Sequence, residues 1–319
     1  MARKLIYVTL QQFCEQNDRP RRLLEEAGFD LRVNSYGRRM VREEMAEALQ
    51  DADAVLAGVE PYDAALLAAL PKLRCISRCG VGTDAIDLEA ARRHGIAVYT
   101  TVEEVVEPVA QMTVAMILAL ARNLPLHLHD FRDGAWTKRT GVLLSEWTIG
   151  LLGFGRIGRA VELGLRAFGP RILVSDPRLS AEGLPPGAQA VGLERLLAES
   201  DLVSVHASRP SAEGALMGER ELGLMKPGSY LVNTARGYLV NEPALEAALR
   251  SGRLAGAALD VFGQEPYKGP LAAMPQVLCT PHVSTLTRAS RAAMERRAVE
   301  NLVDFFRCAQ PAGGMKCGA

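Results

Sequence analysis

Three residues far apart along the 319-residue chain carry groups suited to moving a proton beside a bound carboxylate. Arg236 lies in Asn233-Thr234-Ala235-Arg236-Gly237, Glu265 in Asp260-Val261-Phe262-Gly263-Gln264-Glu265-Pro266, and His282 in Thr280-Pro281-His282-Val283-Ser284. Arginine offers a planar fork to a carboxylate, with charge-assisted bonds of roughly 1.5–3 kcal/mol each. Histidine exchanges a proton near neutral pH. A carboxylate on its second ring nitrogen fixes the tautomer and raises its pKa, each unit being about 1.4 kcal/mol. Singly, the three have plainer readings. An arginine after a strand is usually a surface charge, Glu-Pro is a common loop pair, and a histidine after proline is more often structural than catalytic. Taken together they are more informative, because each segment begins where a predicted strand ends. Ligands of open α/β sheets sit outside the carboxyl ends of the strands. Arg236, Glu265 and His282 are therefore expected to converge on one cleft.

The element that must anchor such a cleft is Thr148–Asp176. An apolar run, Thr148–Leu152, leads at once into Gly153-Phe154-Gly155-Arg156-Ile157-Gly158. A helical pattern runs on to about Phe168, and a second β-branched run, Ile172–Val174, ends at Asp176. Strand, glycine turn, helix, strand and acid in this order form a dinucleotide site. Gly153 permits the tight turn, Gly155 lets backbone approach a pyrophosphate, and Gly158 lets helix and strand pack closely. The pyrophosphate then rests on free N–H groups at the helix N-terminus. Asp176 would accept bonds from the adenosine ribose hydroxyls, which favours NAD over NADP. Arg178 keeps a dual-cofactor reading open, and an ordinary turn before Pro177 is the plain alternative for Asp176.

Around this anchor, short β-type runs alternate with helical patterns. Strands are expected at Leu5–Thr9, Leu31–Val33, Ala54–Leu56, Leu73–Ser77 and Ala97–Tyr99, with helices between them. That alternation argues a parallel sheet of flavodoxin-like type. This first unit lacks a phosphate-binding glycine turn and so reads as a substrate-side domain. A long apolar helix, Val102–Arg122, is expected to cross between domains, and Leu124–Ser145 to wrap a surface with weak periodicity. After Asp176 the alternation resumes, and a helix from Arg288 to Phe306 closes the fold. The expected class is α/β with two doubly wound parallel-sheet domains. Residues 102–286 form the Rossmann nucleotide domain, and residues 1–101 plus 287–319 form a discontinuous substrate domain with a tail beyond Gln310.

Composition narrows the function classes. Lys+Arg and Asp+Glu both number 37, so no excess positive charge exists to hold phosphate backbones, and nucleic-acid binding is not expected. The six cysteines lack zinc or CxxC spacing, so no metal site is expected and reduced thiols are. Val105–Leu120 is the most membrane-like stretch, but Glu107, Pro108 and Gln111 interrupt it, so a buried helix is expected and no membrane span. The expected location is cytoplasmic.

With these residues in view, the chain resembles the D-isomer-specific 2-hydroxy-acid dehydrogenases, from Leu5 to Phe306. The resemblance rests on GFGRIGR (Gly153–Arg159), SDP (Ser175–Pro177), VNTARGYLV (Val232–Val240), LDVFGQEP (Leu259–Pro266) and TPHVS (Thr280–Ser284). Ser77–Leu88 and Asp133–Arg139 are most similar to the phosphoglycerate dehydrogenase members, here without room for the regulatory domain of the longer ones. The resemblance implies hydride transfer between NAD and a small 2-oxo or 2-hydroxy acid, in a cleft between two domains of a homodimer. It gives Arg236 the substrate's carboxylate and carbonyl, His282 the proton, and Glu265 the pairing with His282. It puts the backbone N–H groups of Val81 and Gly82 on the carboxylate, in the manner of an anion-binding turn. Thr234, Ala235 and Asp260, with Arg236 and His282, would line the nicotinamide. His206 would lie beside the cofactor, and Gly153, Gly155, Arg156, Ile157 and Gly158 would hold the pyrophosphate.

Arg78 is the candidate specificity residue, reaching a distal phosphate, phosphonate or carboxylate; a surface arginine ending a strand is the plain alternative. Three departures from the family pattern bear on substrate and cofactor walls. They are Gln111 where many members have Glu, the stretch Ala207-Ser208-Arg209-Pro210, and the loop Tyr99–Glu104. Two further readings keep the fold: a dehydrogenase of another donor, of formate or phosphite type, and an NAD(H)-sensing protein like the carboxy-terminal binding corepressors.

Overall fold

In the computed structural model, which describes residues 3–179, 184–208 and 214–308, the short apolar runs become the strands of two separate parallel sheets. The chain divides into one unit made of Met1–Val105 with Leu286–Ala319 and a second made of Val106–Thr285.

The first unit alternates β1 (Leu5–Val8), α1 (Arg19–Glu26), β2 (Asp30–Val33), α2 (Arg42–Ala48), β3 (Ala54–Ala57), α3 (Ala64–Ala68), β4 (Cys75–Arg78), α4 (Leu88–Arg93) and β5 (Ala97–Thr100). Its strand order is β2-β1-β3-β4-β5, all parallel, the flavodoxin-type arrangement. The sheet is apolar on both faces, as covered parallel sheets are. Ile6, Val8, Ala54 and Leu56 pack with Leu24, Val299 and Leu302 on one side. Tyr7, Val55, Ala57 and Ile76 pack with Met45, Leu66 and Ala90 on the other. Side-chain oxygens of Asp63 and Asp87 accept from the Leu66 and Ala90 amides, which starts α3 and α4.

The second unit opens with α5 (Val106–Ala121) and α6 (Leu124–Arg132). It continues with β6 (Thr148–Leu152), α7 (Arg156–Leu165), β7 (Arg171–Ser175), β8 (Ala188–Ala190), α8 (Leu193–Glu199) and β9 (Leu202–Val205). Then come α9 (Glu219–Leu224), β10 (Ser229–Asn233), α10 (Glu242–Arg250), β11 (Leu254–Leu259) and β12 (Val277–Cys279). The last helix, α11 (Arg288–Cys308), packs in the first unit against α1 and β4. Strand order in the second sheet is β12-β11-β10-β9-β6-β7-β8, again parallel, so the order reverses at β6. That reversal is where doubly wound sheets bind dinucleotides. Ile149, Leu151, Ile172 and Val232 face Met116, Ile117, Val161 and Leu165. Leu173, Val203, Val205 and Leu231 face Leu196, Leu197, Leu245 and Leu249.

Two elements differ from the sequence expectation. Leu124–Ser145, expected to wrap a surface with weak periodicity, contains α6, which starts after Asn123 in the left-handed region (φ 53°). The edge strand β8 is short and polar, Ala-Gln-Ala, and has no apolar run to announce it. Helix α5 with the turn before it, Glu103–Ala121, is long and apolar enough to cross a membrane, yet half of its most apolar stretch is buried inside the protein. It lies against α7, β10 and β11. Cys14, Cys75, Cys79 and Cys279 are free thiols. Cys317, the tail from Gln310, and Arg209 with Pro210 lie outside the described residues.

Candidate active site

The carboxyl ends of β10, β11 and β12 are adjacent, and the loops leaving them are tied together. After β10, Asn233 Nδ2 donates to the Arg236 carbonyl (2.9 Å) and its Oδ1 accepts from the Ala235 amide (3.0 Å). This small clasp holds Arg236 half-buried in extended backbone (φ −146°), with Nη1 donating to the Ala235 carbonyl at 2.7 Å. The next residue must be glycine: a Cβ on Gly237 would overlap the Phe262 carbonyl. The Arg236 turn is therefore pressed directly on the loop that carries Glu265.

After β11 comes Asp260, wholly buried. Its Oδ1 accepts from Thr280 Oγ1 (2.5 Å) and the Val283 amide (2.9 Å), its Oδ2 from the Ser284 amide (2.9 Å) and Ser284 Oγ (2.5 Å). Four donors satisfy a buried carboxylate. The resemblance gives Asp260 a place on the nicotinamide wall, but all four of its acceptor sites are spent on the His282 loop. Its side chain acts as a clamp on both flanks of His282. Between those flanks His282 sits at φ 53°, a left-handed backbone rare for a residue with a Cβ and held only where surroundings fix it.

Glu265 Oε1 accepts from the Phe262 amide (3.1 Å), which orients the carboxylate, and Oε2 lies 2.9 Å from His282 Nδ1. The side chains are 38% and 48% exposed, so both can be reached from outside. With Nδ1 engaged by a carboxylate, Nε2 is the ring nitrogen left to exchange a proton.

The glycine turn at the β6 switch point fits a dinucleotide by its spaces. Gly153 has φ +96°, and a Cβ there would lie 2.6 Å from the His206 carbonyl carbon. A Cβ on Gly158 would lie 2.5 Å from the Gly153 oxygen. Gly155 alone looks into open space, with nothing within 4 Å, at the N-cap of α7 where no side chain caps the helix. A polyanion can approach backbone at that position. Arg156 and Ile157 begin α7, and Ile157 packs partly against the core. Asp176, its side chain 8% exposed, accepts from the Phe154 amide (2.8 Å) and the Arg178 amide (2.9 Å). Burial works against its charge, but these amides, with Arg178 and Arg159, outweigh burial and hold the carboxyl below its usual range. One lone pair on each oxygen stays open to a ribose hydroxyl. His206 follows β9, its Nε2 2.9 Å from Ser204 Oγ, and burial pushes its pKa down to about 4. The ring is thus neutral at pH 7.

Thr234 is buried, its hydroxyl 2.8 Å from Thr113 on α5. Thr113 donates its one proton to the Val109 carbonyl, so Thr234 is the donor between them. Thr113 and Ser204 carried no sequence signal, since a threonine in an apolar helix and a serine in a strand are ordinary core residues. Gln111 is exposed and donates to Glu107 (2.9 Å), so its departure from the family pattern has only a local consequence in this unit. Among the described residues, no group of His, Cys, Asp and Glu is placed to hold a metal ion.

In the first unit, Val81 and Gly82 follow β4 in an exposed turn. Arg78 does not extend into solvent as a strand-end surface arginine would. It is half-buried and folded back over its own loop, with Nη1 donating to the Cys79 carbonyl. A Cβ on Gly80 would lie 2.7 Å from the Arg78 Cζ.

A family model described as D-isomer specific 2-hydroxyacid dehydrogenase, NAD binding domain, matches residues 114–284. Glyoxylate reductase of Aeropyrum pernix is 39% identical over 319 residues, covering 96% of this chain and 93% of that protein. D-3-phosphoglycerate dehydrogenase of Mycobacterium tuberculosis is 35% identical over 273 residues, 84% of this chain and 51% of that protein. Among solved structures, D-lactate dehydrogenase of Aquifex aeolicus, complexed with NAD and lactic acid, has a TM-score of 0.83 at 27% identity, covering 96% of each chain.

Proposed function

The chain belongs to the D-isomer specific 2-hydroxyacid dehydrogenase family, and on that premise we propose that it reduces a small 2-oxo acid of the glyoxylate class to the D-2-hydroxy acid with NADH. The observation that carries the reading is the Glu265–His282 pair at 2.9 Å, clamped by Asp260 at the carboxyl edge of an NAD-binding sheet.

Bound NADH supplies the hydride that reduces the carbonyl carbon. Asp176 receives the adenosine ribose, and the amides around Gly155 receive the pyrophosphate. Arg236 binds the substrate carboxylate and polarises its carbonyl. His282, protonated and held by Glu265, gives its Nε2 proton to the carbonyl oxygen as the hydride arrives, and ends as neutral imidazole. In the oxidative direction the same nitrogen takes the hydroxyl proton back. The glyoxylate reductase at 39% identity favours this over donors of formate or phosphite type and over a sensor without turnover. A substrate with a second anionic group, read by Arg78, is the second reading, favoured by similarity to the phosphoglycerate enzyme. The active form is a homodimer.

The test follows NADH oxidation with glyoxylate, hydroxypyruvate, pyruvate and phosphohydroxypyruvate. Turnover with one or more of these is expected; inertness toward all four sinks the reading. His282→Ala should lower kcat at least about 10²-fold, the scale of a lost general acid, while NADH binding by fluorescence is retained.

A further inference from the structure

Glu265 sits on an exposed bend, Gly263–Pro266, that belongs to no strand or helix. A segment without ladder bonds keeps one geometry only through side-chain and loop contacts. Here those contacts come from the segment that follows β10. The Phe262 carbonyl lies against Gly237, where a Cβ would overlap it. The N–H of the same Phe262–Gly263 peptide donates to Glu242 Oε1 at 2.7 Å. One peptide earlier, the Phe262 amide donates to Glu265 Oε1, and the other Glu265 oxygen lies 2.9 Å from His282 Nδ1. The Phe262 ring is held as well, stacked on Tyr267 with centroids 4.2 Å apart and planes 17° apart. A rotation of the Phe262–Gly263 peptide would therefore carry the neighbouring amide away from Glu265.

Glu242 is the first residue of α10 and half-buried. An acid in a first helical turn ordinarily offsets the helix dipole. This helix end already has its cap, since Asn241 Oδ1 accepts from the Ala244 amide at 3.0 Å. The Glu242 carboxylate is instead turned to a loop twenty-one residues on, in a charge-assisted bond roughly twice as strong as a neutral one. We propose that Glu242 is a positioning residue for proton transfer. Its hold on the Gly263 amide keeps Glu265 on His282 Nδ1, and so keeps Nε2 as the nitrogen that exchanges the proton. Glu242, Gly263, Glu265 and His282 all belong to the second unit. This rests on the proposed reductase activity, in which His282 moves the proton, and adds a residue to it.

The experiment crosses charge against reach. Glu242→Asp keeps the charge at the start of α10 but withdraws the oxygen by ~1.5 Å, one C–C bond, which is too far for the Gly263 amide. Glu242→Gln removes the charge and keeps the acceptor. The first readout is the nitrogen NMR spectrum of the neutral His282 ring, assigned by comparison with His282→Ala. The wild type should carry its proton on Nδ1, because the partner of one ring nitrogen sets where the proton sits. Glu242→Gln should keep that form, and Glu242→Asp should move the ring toward the Nε2–H form. The second readout is turnover of glyoxylate. Glu242→Asp should lower kcat about tenfold with the KM for NADH within about twofold, and Glu242→Gln should recover most of the loss. A role confined to the helix end predicts the reverse order, with glutamine impaired and aspartate normal. That order, a wild-type ring already in the Nε2–H form, or a tautomer unmoved in Glu242→Asp overturns the proposal. NADH titration by fluorescence checks that each variant is folded. Loss of the Nδ1–H form in Glu242→Gln overturns it too, which decides the matter even where Glu242→Asp fails to fold. The tautomer is read without substrate. A wild type inert on the whole panel therefore brings down the activity itself, whereas an active wild type with an unmoved tautomer brings down only the role of Glu242.

Discussion

Asp260 and His206 are each fixed in one state by their surroundings, the first through hydrogen bonds and the second through burial. Asp260 has four donors and no solvent. Asparagine has one oxygen and would turn an NH2 toward two of those donors. Asp260→Asn should cost about 3 kcal/mol in urea unfolding, the scale of a broken buried charge network. It should also lower kcat more than it raises the KM for NADH, because the loop that moves carries His282. An equal change in both would show that Asp260 serves the cofactor wall instead. His206 makes a pH prediction. Burial pushes its folded pKa to about 4, against an unfolded value near 6.5. Between those values the unfolded chain binds a proton that the folded chain refuses, so stability rises with pH there. The contribution is complete above pH 6.5 and is lost as pH falls toward 4. The loss is at most about 2 kcal/mol between pH 7 and pH 5, since His206 keeps some exposure. His206→Asn should flatten that slope in unfolding curves at the two pH values; an equally steep fall would remove His206 as its cause.

At the scale of elements, the glycine turn separates folding from binding. Gly153 and Gly158 have no room for a methyl, and Gly155 has nothing within 4 Å and φ −73°. Alanine at 153 or 158 should therefore cost about 1–3 kcal/mol of stability. Alanine at 155 should leave unfolding within about 0.5 kcal/mol of wild type and weaken NADH binding at least tenfold, read by fluorescence titration. A Gly155→Ala protein that binds normally would mean that the cofactor does not rest on that amide. The strands and this turn were legible in the sequence because buried parallel strands are continuous apolar runs: Thr148–Leu152 is a strand at the bounds the run suggests. Helix α6 was passed over although Leu124, Leu128 and Phe131 stand at helical spacing, because nine residues opening on Leu124-Pro125 give that pattern little length, and its stripe faces outward without joining the core. β8 is an edge strand of alanine and glutamine with nothing to bury. Arg236, Glu265 and His282 could be picked out by chemistry and by their places after strands. The spending of Asp260 on Thr280, Val283 and Ser284 could not, since those donors come from a loop some twenty residues later whose path depends on β12.

That outward stripe bears on the whole molecule. Phe131 is 68% exposed and Trp136 is 79% exposed, their rings 5.9 Å apart, with Leu124, Leu128 and Leu143 also open. Large aromatic and aliphatic side chains grouped on one surface mark an association site more often than a free one, because leaving each in water forfeits roughly 1.5–3 kcal/mol of burial. Leu124, Leu128 and Phe131 recur at helical spacing, so a second copy of α6 could meet them ridge against ridge in a two-fold contact. The neutral net charge raises no general repulsion between copies. Light scattering during size exclusion should therefore give twice the 34.5 kDa chain mass for the wild type. Phe131→Asp with Trp136→Ser should give the single-chain mass, because a carboxylate in the apolar contact adds desolvation to the lost burial. The monomer should still bind NADH, since the glycine turn and Asp176 belong to one chain's second unit. That retained binding separates dissociation from misfolding. A wild type that runs at 34.5 kDa, or a double variant that stays at twice that mass, would leave the α6 stripe without the role given to it.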